Sequence, residues 1–258
     1  MEQTRTIPPV VVRQRNLILV VLIVLAGLGW IVFLNQAREP MHMKHGMSMG
    51  PDLTMGRSWS LFYAMWVAMM AAMMFPAAAP MILMYGRMQR SSSGSVALFT
   101  GSYIVLWFAF GAVAFLLGAF VETQASKSDW VAMNWARAGG ALLVLAGLYQ
   151  LTPLKDVCLR HCRTPLGFVM SHWRAGKAGA VRMGLTHGLY CLGCCWLMFL
   201  VLVPLGVMNV AAMVAVAFVV FAEKVVPWGR GFGRVAAAGF IAYGALVMFR
   251  PELFPTVA

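Results

Sequence analysis

Between Arg182 and Glu223 the chain runs for 40 residues without a charged side chain. A helix needs only about 20 apolar residues to cross the roughly 30 Å hydrocarbon layer of a bilayer. The run is therefore too long for one span, and Pro204, Gly206 and Asn209 fall near its middle. It reads as two spans joined by a tight hairpin. The same logic yields five more spans along the chain: Asn16 to Leu34, Trp59 to Tyr85, the uncharged stretch between Arg90 and Glu122, Arg137 to Lys155, and a short one between Arg234 and Arg250. Helices are required, because in lipid each segment must satisfy its own backbone hydrogen bonds. The runs also lack the alternation of barrel strands. The expected fold is all-α, a polytopic transmembrane bundle of seven spans.

Composition points the same way. The chain is 61% hydrophobic and 11% charged, with a mean hydropathy of +0.79, whereas a soluble domain carries about 25% charged residues. A soluble enzyme, a disordered chain and a secreted disulfide scaffold are all excluded. The net charge of +12 would raise the question of nucleic acid in a soluble protein. Here the basic residues sit in short segments between apolar runs, so the expected partner is the lipid bilayer and not nucleic acid. With the N-terminus inside, the inner segments are the N-terminal tail, Arg87 to Arg90, Lys155 to Arg182 and Lys224 to Arg234; they hold 14 of the 20 lysines and arginines. The positive-inside rule then puts the N-terminus in the cytoplasm and the C-terminus outside, in a bacterial inner membrane. The first span reads as an uncleaved anchor, since its apolar run exceeds that of a signal peptide and no small-residue cleavage site follows. Two regions result: 1–58, an anchor helix and an extracytoplasmic loop, and 59–258, a six-helix membrane domain.

The chemistry on offer is soft. The chain has 21 Met, 5 Cys and 5 His, and thioether and thiolate ligands favour Cu(I) while imidazole suits copper and zinc. Met41, His42, Met43, His45, Met47 and Met49 crowd one external loop with too few branched apolar residues to form a core. They read as a flexible copper-capturing segment. Met65, Met69 and Met73 form one stripe along the second span, widened by Met70 and Met74; such a stripe is either core filler or a path for metal. His187, Cys191, Cys194, Cys195 and Met198 fall within an arc of about 100° on one helix, at a depth where polar groups are costly without a purpose. Because one helix face cannot enclose a metal, other helices must contribute. Cys158, His161 and Cys162 have i, i+3, i+4 spacing on the cytoplasmic side and form a candidate second or transfer site. Glu223 and Lys224 end the sixth span; the carboxylate reads as a salt-bridged cap, with a proton or metal partner as the alternative.

Ala71 to Pro76, Gly147 to Lys155, His187 to Met198 and Gly206 to Asn209 occur in this order and are followed by Glu223 and Lys224. Together they resemble a prokaryotic domain-of-unknown-function family labelled "predicted metal-binding integral membrane protein", over about Trp59 to Arg250. The run from His187 through Cys194, Cys195 and Trp196 is the most specific part. The resemblance implies metal binding in a membrane without an assigned activity, and it leaves the first span and the Met/His loop uncovered.

The leading expectation is copper handling. Cu(I), with zinc as the alternative metal, would be caught at Met41 to Met49, pass Met65, Met69 and Met73, and reach His187, Cys191, Cys194 and Cys195. Transport, sensing, and delivery to a partner such as a cuproenzyme or other membrane subunit are all compatible with that route. No phosphate-binding loop is visible, which disfavours a primary pump. The alternatives are an intramembrane thiol–disulfide carrier and an accessory subunit of a larger membrane enzyme. No nucleophile–base–acid pattern stands out, so an enzyme is not expected.

Overall fold

Prolines and charges set where the helices stop. The structure, a computed structural model, describes residues 9–38, 59–89, 93–205 and 209–253; the loop from Met41 to Met49 lies outside them. Among the described residues the regular elements are all helical: α1 (Pro9–Arg38), α2 (Trp59–Met88), α3 (Ser93–Ala125), α4 (Asp129–Gln150), α5 (Pro153–Arg163), α6 (Pro165–His172), α7 (Gly176–Leu205), α8 (Val210–Val225) and α9 (Gly229–Phe249), followed by a 3-10 turn at Pro251–Leu253.

Every apolar run read from the sequence is helical, but they are not equivalent as membrane spans. Among the described residues five helices are long and apolar enough to cross a membrane: α1, α2, α3, α7 and α9. A sixth crossing arises if α4 and α5 count together, although they meet at a bend of 66°. Of the seven spans expected, five or six thus have the length and apolarity of a crossing helix among the described residues, for two reasons. Residues preceding proline are pushed out of the helical region, so Thr152 before Pro153 ends the fourth helix early. Thr152 then caps α5, its Oγ1 accepting from the Lys155 amide at 3.3 Å. The eighth helix is only 16 residues long, about 24 Å at 1.5 Å per residue, which falls short of a full crossing. By contrast α2 continues unbroken through Pro76 and Pro80, both of which face outward.

The helices pack most extensively as α4 on α9, α3 on α7 and α1 on α2. Small residues permit the first contact. A Cβ on Gly244 would lie 2.6 Å from the Gly140 carbonyl oxygen, and one on Gly140 would lie 2.8 Å from that of Gly244. Such backbone approach is typical of helix pairs in lipid. Large apolar side chains including Leu17, Ile23, Phe108, Leu116, Phe120, Phe218 and Phe249 point outward, a surface that a water-soluble monomer rarely tolerates.

One continuous core joins the helices that matter for chemistry. Met69, Met70, Met73, Met74 and Met81 of α2 share it with Phe99, Tyr103 and Trp107 of α3, Cys162 of α5, and Cys191, Cys194, Cys195 and Met198 of α7. The methionine stripe and the cysteine face therefore belong to the same buried cluster. Met65 is buried as well.

Candidate metal centre

Cys191, Cys194 and Cys195 lie at the middle of α7, each no more than 2% exposed. Their i, i+3, i+4 spacing turns all three toward the core, as helix periodicity requires. The fourth sulfur comes from a different helix: Cys162 Sγ of α5 is 4.0 Å from Cys194 Sγ, while Cys194 Sγ is 3.4 Å from Cys195 Sγ. Gly193 makes this docking possible. A Cβ there would sit 2.8 Å from Cys158 Sγ, so a larger residue would push α5 away. Tyr149 adds a tie by donating its hydroxyl to the Gly193 carbonyl.

The thiols of Cys194 and Cys195 donate back to the Cys191 carbonyl, at 3.1 and 2.8 Å. Cys191 Sγ sits among the other three sulfurs and also meets groups from α3 and α8. It lies 3.1 Å from the Tyr103 hydroxyl and 2.9 Å from the Lys224 ammonium, which donates to it. Lys224 is itself buried in the last turn of α8. Among the described residues no group of three or more His, Cys, Asp or Glu side chains stands in metal-holding geometry.

His187 sits one turn before Cys191 and is 2% exposed. Its ring stacks near Phe99 and Tyr103, with centroids at 6.0 and 5.4 Å, and meets Phe168 edge-on. Neither ring nitrogen has a hydrogen-bond partner. Buried polar groups are nearly always paired, which makes this unpaired imidazole a candidate ligand. Met198, buried in the same core, accepts at Sδ from Gln150 Nε2 at 3.6 Å.

The candidate triad on α5 divides. Cys162 joins the α7 sulfurs and Cys158 packs at Gly193, but His161 turns away: its ring stacks flat on Tyr190 at 4.0 Å and its Nδ1 contacts the Val157 carbonyl. Glu223 is a salt-bridged end group, as expected, although fully inside the protein. Its Oε2 is 2.6 Å from Lys155 Nζ and its Oε1 accepts from Gln150 Nε2 at 2.8 Å. Arg163 closes the end of α8 by donating to the carbonyls of Glu223, Val226 and Pro227, groups that a helix C-terminus leaves unpaired. These contacts fix the turn that carries Lys224.

Sequence reasoning missed Lys224 as the cation of the site. A usable signal existed. Counted outward from Pro204 and Asn209, where the sequence suggested a hairpin, Cys191 and Lys224 lie about equally far along α7 and α8 and would be set side by side.

The donor set is soft, dominated by thiols and supported by thioether and imidazole. In an all-helical bundle with several membrane-length helices, such a set defines a candidate soft-metal protein. A family model described as a copper chaperone, PpoB2, matches residues 63–247. That is well over half of the chain, and the chain belongs to this copper chaperone family. No curated protein matches the chain. No solved structure matches it either.

Proposed function

We propose that the protein is an integral membrane protein that binds Cu(I) as cargo on the thiols of Cys162, Cys191, Cys194 and Cys195 and passes it to a partner, such as a cuproenzyme. The observation that supports this most is the meeting of Cys162 on α5 with the α7 cysteines. A bond of about 2.3 Å from a soft metal to sulfur sets two sulfurs on one ion roughly 3.8–4.6 Å apart. The 4.0 Å between Cys162 and Cys194 suits that span. Loading then requires the Cys194 thiol to rotate off the Cys191 carbonyl. Met198 and His187 flank the sulfurs as further donors, and the buried Met65, Met69 and Met73 offer a thioether path through the same core. The loop from Met41 to Met49 serves as the capture segment in this reading.

We place the protein in a bacterial inner membrane with the N-terminus inside, on the distribution of basic residues. In this reading α1, α2, α3, α7 and α9 cross fully, the bent α4–α5 pair supplies a sixth crossing, and α8 is a shorter helix packed beside them.

The test is metal content by mass spectrometry on protein purified anaerobically in detergent and supplied with Cu(I) or Zn(II). Near one copper per chain is expected, held through desalting. A second reading, the thiol–disulfide carrier, draws on the same 4.0 Å approach of Cys162 and Cys194, which a modest movement would convert to a bond of about 2.05 Å. A His187→Ala variant that loses metal while its thiols still exchange separates the two. Protein that takes up no copper, with thiols that cycle reversibly, overturns the copper reading and favours the carrier.

A further inference from the structure

The buried cation on Cys191 calls for an explanation of its own. A lysine head group deep in a helix bundle is expensive, and no acidic side chain among the described residues is its hydrogen-bond partner. The neighbouring Glu223 is taken by Lys155 at 2.6 Å and by Gln150 at 2.8 Å. Lys224 Nζ instead donates to Cys191 Sγ at 2.9 Å, while Arg163 secures the helix end around it through the carbonyls of Glu223, Val226 and Pro227. The ammonium is thus held against sulfur by the architecture of α8.

We propose that Lys224 is the charge-balancing residue of the thiol centre and selects a monovalent soft ion over a divalent one. The inference rests on the copper reading above and deepens it. Two thiolates, one Cu(I) and one ammonium sum to zero charge; as the ion binds, each of the two coordinating thiols gives up its proton to solvent, as coordination requires. A divalent ion on the same two thiolates leaves the site with one uncompensated positive charge, which a low-dielectric interior penalises. Remove the ammonium and the preference inverts: the divalent complex becomes neutral and the Cu(I) complex carries an unpaired negative charge.

The experiment uses the full chain in detergent under anaerobic conditions, with Cu(I) and Cd(II) each titrated against a chromophoric chelator. Wild type is compared with Lys224→Met and Lys224→Arg. For Lys224→Met, Cu(I) affinity is expected to fall about tenfold or more while Cd(II) affinity holds or rises, and Lys224→Arg should keep the wild-type ratio within about threefold. Lys224→Gln keeps a hydrogen-bond donor without the charge; it should show the same shifted ratio and serves if the Met variant does not fold. Equal losses for both ions would assign Lys224 a packing role and overturn the inference, as would an unchanged ratio. Those outcomes leave Cu(I) bound to the wild type and so spare the copper reading. Wild type that takes no Cu(I) sinks both.

Discussion

Replacing Cys191, Cys194 and Cys195 together by serine is expected to weaken Cu(I) binding by at least about 100-fold, or about 2.8 kcal/mol. The magnitude follows from chemistry. Groups that only orient a metal's ligands cost about 10–100-fold when lost, and here three of the four clustered sulfurs are removed. Serine is the informative replacement because it preserves the local structure. Cys194 and Cys195 bond back to the Cys191 carbonyl, and a serine hydroxyl makes the same contact one turn earlier in a helix. Thermal unfolding in detergent should therefore stay near that of the wild type while copper retention collapses. A chelator competition assay reads the affinity directly. Retention of wild-type affinity would show that copper binds elsewhere, with the Met41 to Met49 segment the first place to look.

The second large effect is on stability. Lys155→Met leaves Glu223, 2% exposed, without its ion partner, and removing one half of a buried pair typically costs about 3–5 kcal/mol. Gln150 still donates to Oε1, so the lower part of that range is expected. The melting temperature of the variant in detergent should drop sharply. The double variant Lys155→Met, Glu223→Met should recover most of the loss, since replacing a buried pair by apolar residues is often neutral or stabilising. Failure to recover would mean that Glu223 does more than hold α8 to α5. Because Glu223 is next in sequence to Lys224, copper affinity should be followed alongside in both variants.

Periodicity alone carried much of this fold. Each uncharged run became a helix, and the break near Pro204 and Asn209 separates α7 from α8. The common face of Cys191, Cys194 and Cys195 followed from spacing, because side-chain direction in a helix is local. What spacing could not supply were contacts between helices. Cys162 looked like part of an α5 triad, yet it meets Cys194, and the partner it was grouped with, His161, stacks on Tyr190. Lys224 looked like part of a helix end at the membrane boundary, since the positive-inside rule gives every basic residue near a span the same explanation. Its burial depends on the shortness of α8 and on Arg163 from α5, neither of which hydropathy encodes. The bend after Gln150 was legible in Thr152 and Pro153, but charge spacing ran the fourth span through to Lys155. His187 shares the cysteine face, as its spacing implied, but the rings of Phe99, Tyr103 and Phe168 that enclose it come from other helices and were not legible.

The most direct test is X-ray absorption at the copper edge on wild-type protein loaded with one equivalent of Cu(I) in detergent. A Cu(I) edge with a first shell made mostly of sulfur, at least two per copper, is the expected result, and it should be lost in the triple serine variant. A shell of nitrogen and oxygen alone, or a spectrum unchanged by the serine substitutions, would contradict the assignment of copper to the cysteine cluster of α5 and α7.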